Sequence, residues 1–122
     1  MPSDPTLSLI VLRVADIESA VEVYSAIGLA FEREKHGTGP EHFSTALGDA
    51  VFELYPASER FPVSTSRIGF AVASINTVLD SLGKLSAEVL TEPQQTQWGL
   101  RAVVADPDGH RVELIQKQQH SV

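Results

Sequence analysis

The chain says nearly the same thing twice, and a repeat of this kind limits the folds open to it more than any other feature. Ile10-Val11-Leu12-Arg13-Val14-Ala15-Asp16 opens the first half, and Ile68-Gly69-Phe70-Ala71-Val72-Ala73-Ser74 opens the second, 58 residues later. Val51-Phe52-Glu53-Leu54 closes the first copy and Arg111-Val112-Glu113-Leu114 the second, at a spacing of 60. Two carboxylates, Glu53 and Glu113, therefore stand at equivalent places near the ends of strands. A duplicated module builds a pseudo-symmetric site, and the residues facing the two carboxylates decide whether it can hold a metal.

At 122 residues the chain is one domain by size. A half of about 60 residues would be marginal alone, so the halves are expected to share a sheet or a core. The net charge of −7 argues against a nucleic-acid or anionic membrane partner. The absence of cysteine excludes disulfides and thiolate chemistry. No apolar run reaches the roughly 18 residues of a membrane span. Met1-Pro2-Ser3-Asp4-Pro5 has no basic region followed by an apolar stretch, so no secretory signal is visible and a cytoplasmic protein is expected.

Each half reads as strand, helix, strands. Leu7 to Val14 is rich in Leu, Ile and Val, the pattern of a strand buried on both faces. Asp16 suits a helix N-cap, and Ile17, Ala20, Val21, Tyr24 and Ile27 then form one apolar stripe ended by Gly28. Phe31 to His36 is expected as a strand and Gly37-Thr38-Gly39-Pro40 as a loop. His42 to Leu47, the Gly48-Asp49 turn and Ala50 to Tyr55 form a hairpin, which places Ser44 opposite Glu53 and His42 opposite Tyr55. The second half repeats the order: strand Arg67 to Val72, cap Ser74, and a helix with Ile75, Val78, Leu79, Leu82 and Leu85 on one face. Strands at Ala87 to Leu90, Gly99 to Ala105 and His110 to Gln116 follow, with Asp106-Pro107-Asp108-Gly109 as a turn. The expected product is α+β: two tandem βαβββ modules, residues 7–56 and 67–116. A flexible start (1–6), a linker (57–66) and a polar tail (117–122) flank them, all in one structural domain.

With these residues in view, the chain resembles the vicinal oxygen chelate superfamily, which includes glyoxalases, bleomycin-resistance proteins and extradiol dioxygenases. The resemblance runs from about Leu7 to Gln116. Leu12-Arg13-Val14-Ala15-Asp16 and Trp98-Gly99 leading into Ala105-Asp106-Pro107-Asp108-Gly109-His110-Arg111-Val112-Glu113-Leu114 carry it, in their order and with the repeat. It implies a curved mixed sheet forming a cup, a metal site built from the first and fourth strands of each module, and frequent homodimerisation.

Carried over by residue, the implied ligand positions are Leu9, Glu53, Arg67 and Glu113. Two carboxylates remain, but Leu9 donates nothing and Arg67 would repel a cation. No metal and no other cofactor is expected. A guanidinium can bridge two carboxylates, so Arg67 is expected to replace the metal's charge between Glu53 and Glu113; the alternative is exposed glutamates and a solvated Arg67. Strand alternation adds Tyr55, Arg111 and Arg13 to the cup face. By the glyoxalase resemblance Arg13 could bind an anion, or it could be a surface residue preceding a helix. His42 is a ligand contact, a base, or neither, while His36, His110 and His120 read as surface residues. Trp98 could stack on a planar ligand or pack on its own Gly99 turn.

The candidate lining is thus Arg13, His42, Glu53, Tyr55, Arg67, Trp98, Arg111 and Glu113. The missing ligands favour a metal-independent protein that sequesters a small molecule in a dimer-formed cup, as in the bleomycin-resistance branch. The alternative is a metal-dependent lyase or dioxygenase, glyoxalase I-like or extradiol dioxygenase-like, opposed by Leu9 and Arg67 because Lewis-acid catalysis needs the metal. A metal-free enzyme using His42 or Glu53 as base is a third possibility, for which no motif speaks. Neither the ligand nor any catalytic residue is identified by the sequence.

Overall fold

Ten elements alternate in the order the repeat requires. The computed structural model describes residues 4–117, so the expectations for His120 and most of the tail lie outside the described residues, as does the first half of the expected flexible start. The first half contains β1 (Leu9–Val14), α1 (Ile17–Ile27), β2 (Glu32–Glu34), β3 (His42–Leu47) and β4 (Ala50–Pro56). The second contains β5 (Arg67–Ala71), α2 (Ile75–Leu82), β6 (Glu88–Thr96), β7 (Gly99–Ala105) and β8 (Arg111–Gln116). They form two four-stranded mixed sheets, β1-β4-β3-β2 and β5-β8-β7-β6, each with one parallel pair at its centre-to-edge step.

The chain's local chemistry explains the boundaries. Asp16 caps α1 by accepting from the amides of Glu18 and Ser19, and these bonds, with the Ser19 hydroxyl, hold its carboxyl below the ordinary value. Ser74 caps α2 by accepting from Thr77. Gly48, at φ 59°, closes the β3–β4 hairpin in the expected register, Leu47 facing Ala50 and Ser44 facing Glu53. Gly99 is held at φ 130°, where a Cβ would run into the Gln116 carbonyl, so no other residue fits there.

Several expectations about the elements need correction: β2 covers only Glu32–Glu34 of the expected Phe31–His36 strand. β1 begins at Leu9 rather than Leu7 and is buried on one face only: Leu12 and Val14 are in the core, while Leu9 and Val11 are exposed. β6 runs on from the expected Ala87–Leu90 segment to Thr96, tolerating Pro93 because it is an edge strand with register shifts between Val89 and Gln94. α2 stops at Leu82, leaving Leu85 to pack on the core from the following turn.

The two halves share one core. Leu12, Val14, Phe52 and Leu54 of the first sheet join Ala102, Val104, Val112 and Leu114 of the second in a single cluster with α1 and α2. Tyr24, Phe52 and Phe70 meet edge to face, with centroids 5.4–6.3 Å apart, across the module boundary. A polar latch reinforces that seam. Tyr24 donates to Asp106 Oδ2 at 2.7 Å, and the other Asp106 oxygen accepts from the amides of Asp108 and His110. Asp108 accepts from the Ala15 amide, and His110 accepts from the Ser66 amide at Nδ1 while Nε2 donates to the Arg13 carbonyl. His110 is therefore fully buried, not a surface residue: the turn that reads as a loop signal in sequence is the clasp between modules. Burial first, then the charge of Asp106, push the Tyr24 phenol far above its ordinary value, which keeps it a donor.

Candidate functional site

With their inner faces on the shared core, both sheets turn the opposite face outward. On the first sheet, Leu9, Val11 and Arg13 of β1 lie beside Val51, Glu53 and Tyr55 of β4, followed by His42, Ser44 and Ala46 of β3 and by Glu32 and Glu34 of β2. Two hollows open here. One, of about 570 Å³, is lined by Glu34, Ser44, Val51 and Glu53 among others. The other, of about 470 Å³, is lined mainly by Arg13, Tyr55, Pro56, Arg60 and Phe61.

A row of stacked groups connects them. The Arg13 guanidinium carbon lies 4.4 Å from the Phe61 ring centroid and 4.8 Å from that of Tyr55. Tyr55 in turn lies flat on His42, at 4.1 Å and 8°. Desolvation and the nearby Glu53 charge raise the Tyr55 phenol. Phe61 and Arg60 belong to the segment expected as a linker, and only their position over Arg13 reveals them as lining. His42 is buried, with Nε2 3.3 Å from Glu34 Oε1 and 3.7 Å from Glu53 Oε2.

The second sheet presents Arg67, Arg101, Arg111 and Glu113 on its outward face. Arg101 Nε donates to Glu113 Oε1 at 2.6 Å, and Arg67 Nη2 donates to the same oxygen at 3.2 Å. The Arg101 hydrogen bond first, and Arg67 after it, hold the Glu113 carboxyl below the ordinary range. Arg101 escaped the sequence reading, although its register opposite Ile115 follows from counting back along β7. Trp98 sits at the β6–β7 turn and is 71% exposed, so it does not pack on its Gly99 turn.

The expected Glu53–Arg67–Glu113 bridge forms only in half. Arg67 reaches Glu113, but among the described residues no ion pair joins it to Glu53, which lies on the other sheet beside His42. The resemblance-implied metal does not fit these four positions: Leu9 offers no donor, and Arg67 brings a cation already bonded to one of the carboxylates. Asp106, Asp108 and His110 also cluster, but their donor atoms are occupied by the latch.

This fold, with glutamates at equivalent mid-strand positions of β4 and β8, defines a duplicated βαβββ protein. Residues 6–114 match the model of the Glyoxalase/Bleomycin resistance protein/Dioxygenase superfamily, and the chain belongs to that family. It is similar to a probable lactoylglutathione lyase of Vibrio cholerae, 29% identical with 88% of each chain covered. Among solved structures it resembles TnmS3, an antibiotic-binding protein from Streptomyces sp. CB03234 (TM-score 0.75, 21% identity, 97% of this chain and 100% of that one). It also resembles the oxidase ChaP-H2 (TM-score 0.74, 15% identity, 96% and 97%). At these identities the structural likenesses speak for the fold alone.

Proposed function

We propose that the protein binds a small molecule in a cup formed by two copies of the chain, as a sequestration or resistance-type protein whose ligand binding needs no metal at the family position. One observation carries this reading. The Arg13 guanidinium, held by stacking on Phe61 and Tyr55 beside a hollow of about 470 Å³, offers a ligand one fixed cation in a largely apolar and aromatic lining. Leu9 and Arg67 support it by removing the donors a Lewis-acid centre would need.

A homodimer completes the cup. Leu9, Val11 and Val51 leave an apolar strip exposed on the first sheet, and the second sheet of another copy, bearing Arg67, Arg101 and Arg111, complements the Glu53 and Glu34 charges beside it. Arg67 and Glu53 would then meet between copies rather than within one. A cytoplasmic setting fits the absence of cysteine, and no helix among the described residues is long and apolar enough to cross a membrane.

The relative named for lactoylglutathione favours a second reading, a lyase of the same family. Ligand-observed NMR against planar aromatic acids in excess EDTA, alongside an assay of lactoylglutathione formation, separates the two. The binding reading expects saturable binding in EDTA that weakens about 2- to 10-fold in Phe61→Ala, the loss of one aromatic contact, and no turnover. Metal-stimulated turnover at an enzyme's ordinary rate would overturn it.

A further inference from the structure

Glu34, His36 and His42 converge on a point that the family's ligand positions do not include. Glu34 and His42 are direct cross-strand partners in the β2–β3 pair. The turn after β2, with Gly37 at φ 59°, folds His36 back so that its ring lies 5.1 Å from that of His42. Both imidazole Nε2 atoms face the same oxygen: His42 stands 3.3 Å from Glu34 Oε1, and His36 stands 3.7 Å from it. The three donor atoms all lie within 4.8 Å of one another.

We propose that these three residues bind a divalent transition metal, zinc being the ion their two imidazoles and one carboxylate suit best. Tetrahedral zinc with bonds of about 2.0–2.1 Å separates its donor atoms by roughly 3.3–3.4 Å. The 3.3 and 3.7 Å separations require only small side-chain adjustment to reach that. The set leaves at least one coordination position free, as in open two-histidine, one-carboxylate centres.

His42 supplies the independent observation. Its Nδ1 lies 3.3 Å from the Pro40 carbonyl oxygen, which can only accept, so Nδ1 carries a proton and Nε2 is the nitrogen left to meet a cation. That Nε2 is buried, has no hydrogen-bond partner, and faces carboxylate oxygens of both Glu34 and Glu53. A buried imidazole nitrogen aimed at two anions needs a cation, a proton or a metal, between them. A proton on Nε2 would serve with one imidazole alone. The second imidazole, His36, directed at the same Glu34 oxygen although its side chain is 74% exposed, is what a metal uses and a proton does not.

The test uses untagged full-length protein stripped with EDTA, with no small-molecule ligand present, so its outcome is independent of what the cup binds. Zinc is titrated calorimetrically, and cobalt(II) is followed by visible absorption. One equivalent is expected, with the intense d–d bands of a low-symmetry nitrogen–oxygen site. His36→Ala, on an exposed side chain, and Glu34→Gln should each weaken zinc at least about tenfold, the lower bound of what even supporting residues cost a metal site. His120→Ala should leave it unchanged. No saturable zinc binding below about 0.1 mM would overturn the proposal. So would stoichiometric binding indifferent to His36→Ala and Glu34→Gln, or binding lost only on replacing His42.

Discussion

His42 and Arg101 occupy equivalent positions in the two halves, each on the third strand of its module and each turned toward the glutamate of the fourth. His42 stacks on Tyr55 and faces Glu53, while Arg101 is registered against Ile115 and bonds Glu113. The strand order and the pairing of the third and fourth strands repeat, while the side chains on them have diverged. One module places an imidazole beside its carboxylate and the other a permanent cation, so the two halves offer different chemistry to whatever lies over them.

Arg101, more than Arg67, sets the state of Glu113. A carboxylate held below its ordinary range contributes stability above that range and loses it as pH falls through the lowered folded value. Arg101→Met is expected to cost about 0.5–1 kcal/mol near pH 7, discounted for solvent exposure, and to flatten the fall in stability between neutral and acid pH. Arg67→Met should cost less. Urea unfolding of the three proteins at pH 7 and pH 3 checks both points, and a larger loss in Arg67→Met would reverse the ranking.

The latch between modules should be energetically visible. Tyr24→Phe keeps the aromatic packing and leaves one buried Asp106 oxygen without its 2.7 Å donor, a loss expected to be about 1–3 kcal/mol. Denaturant unfolding provides the measurement. A variant as stable as the parent would mean that water or a rearranged turn satisfies Asp106 instead.

Association should depend on the exposed strip of the first sheet. Light scattering is expected to give twice the chain's 13.2 kDa, and Val11→Glu, which puts a charge beside Glu53 on that strip, should yield a folded monomer. A parent protein that is monomeric at micromolar concentration would remove the dimeric cup.

Much of this fold was readable because strand and helix periodicity, caps and turns are local. Asp16, Ser74, Gly48 and the register of Ser44 against Glu53 needed only neighbouring residues to place them. Pro93 obscured the length of β6, since whether proline is tolerated depends on the strand lying at an edge.

The site was readable only in part. Alternation along β4 and β8 turned Glu53, Tyr55 and Glu113 to the same kind of face, and Leu9 and Arg67 spoke against a metal there from their chemistry alone. What tertiary structure decided was which groups meet. It separated Glu53 from Arg67 onto two sheets, brought Phe61 from a featureless segment over Arg13, buried His110 in the seam, and folded His36 onto Glu34 and His42. The physical reason is range: hydrogen bonds within a turn or hairpin are dictated by adjacent residues, whereas burial, ion pairing and coordination depend on distances set only when both modules close on one core.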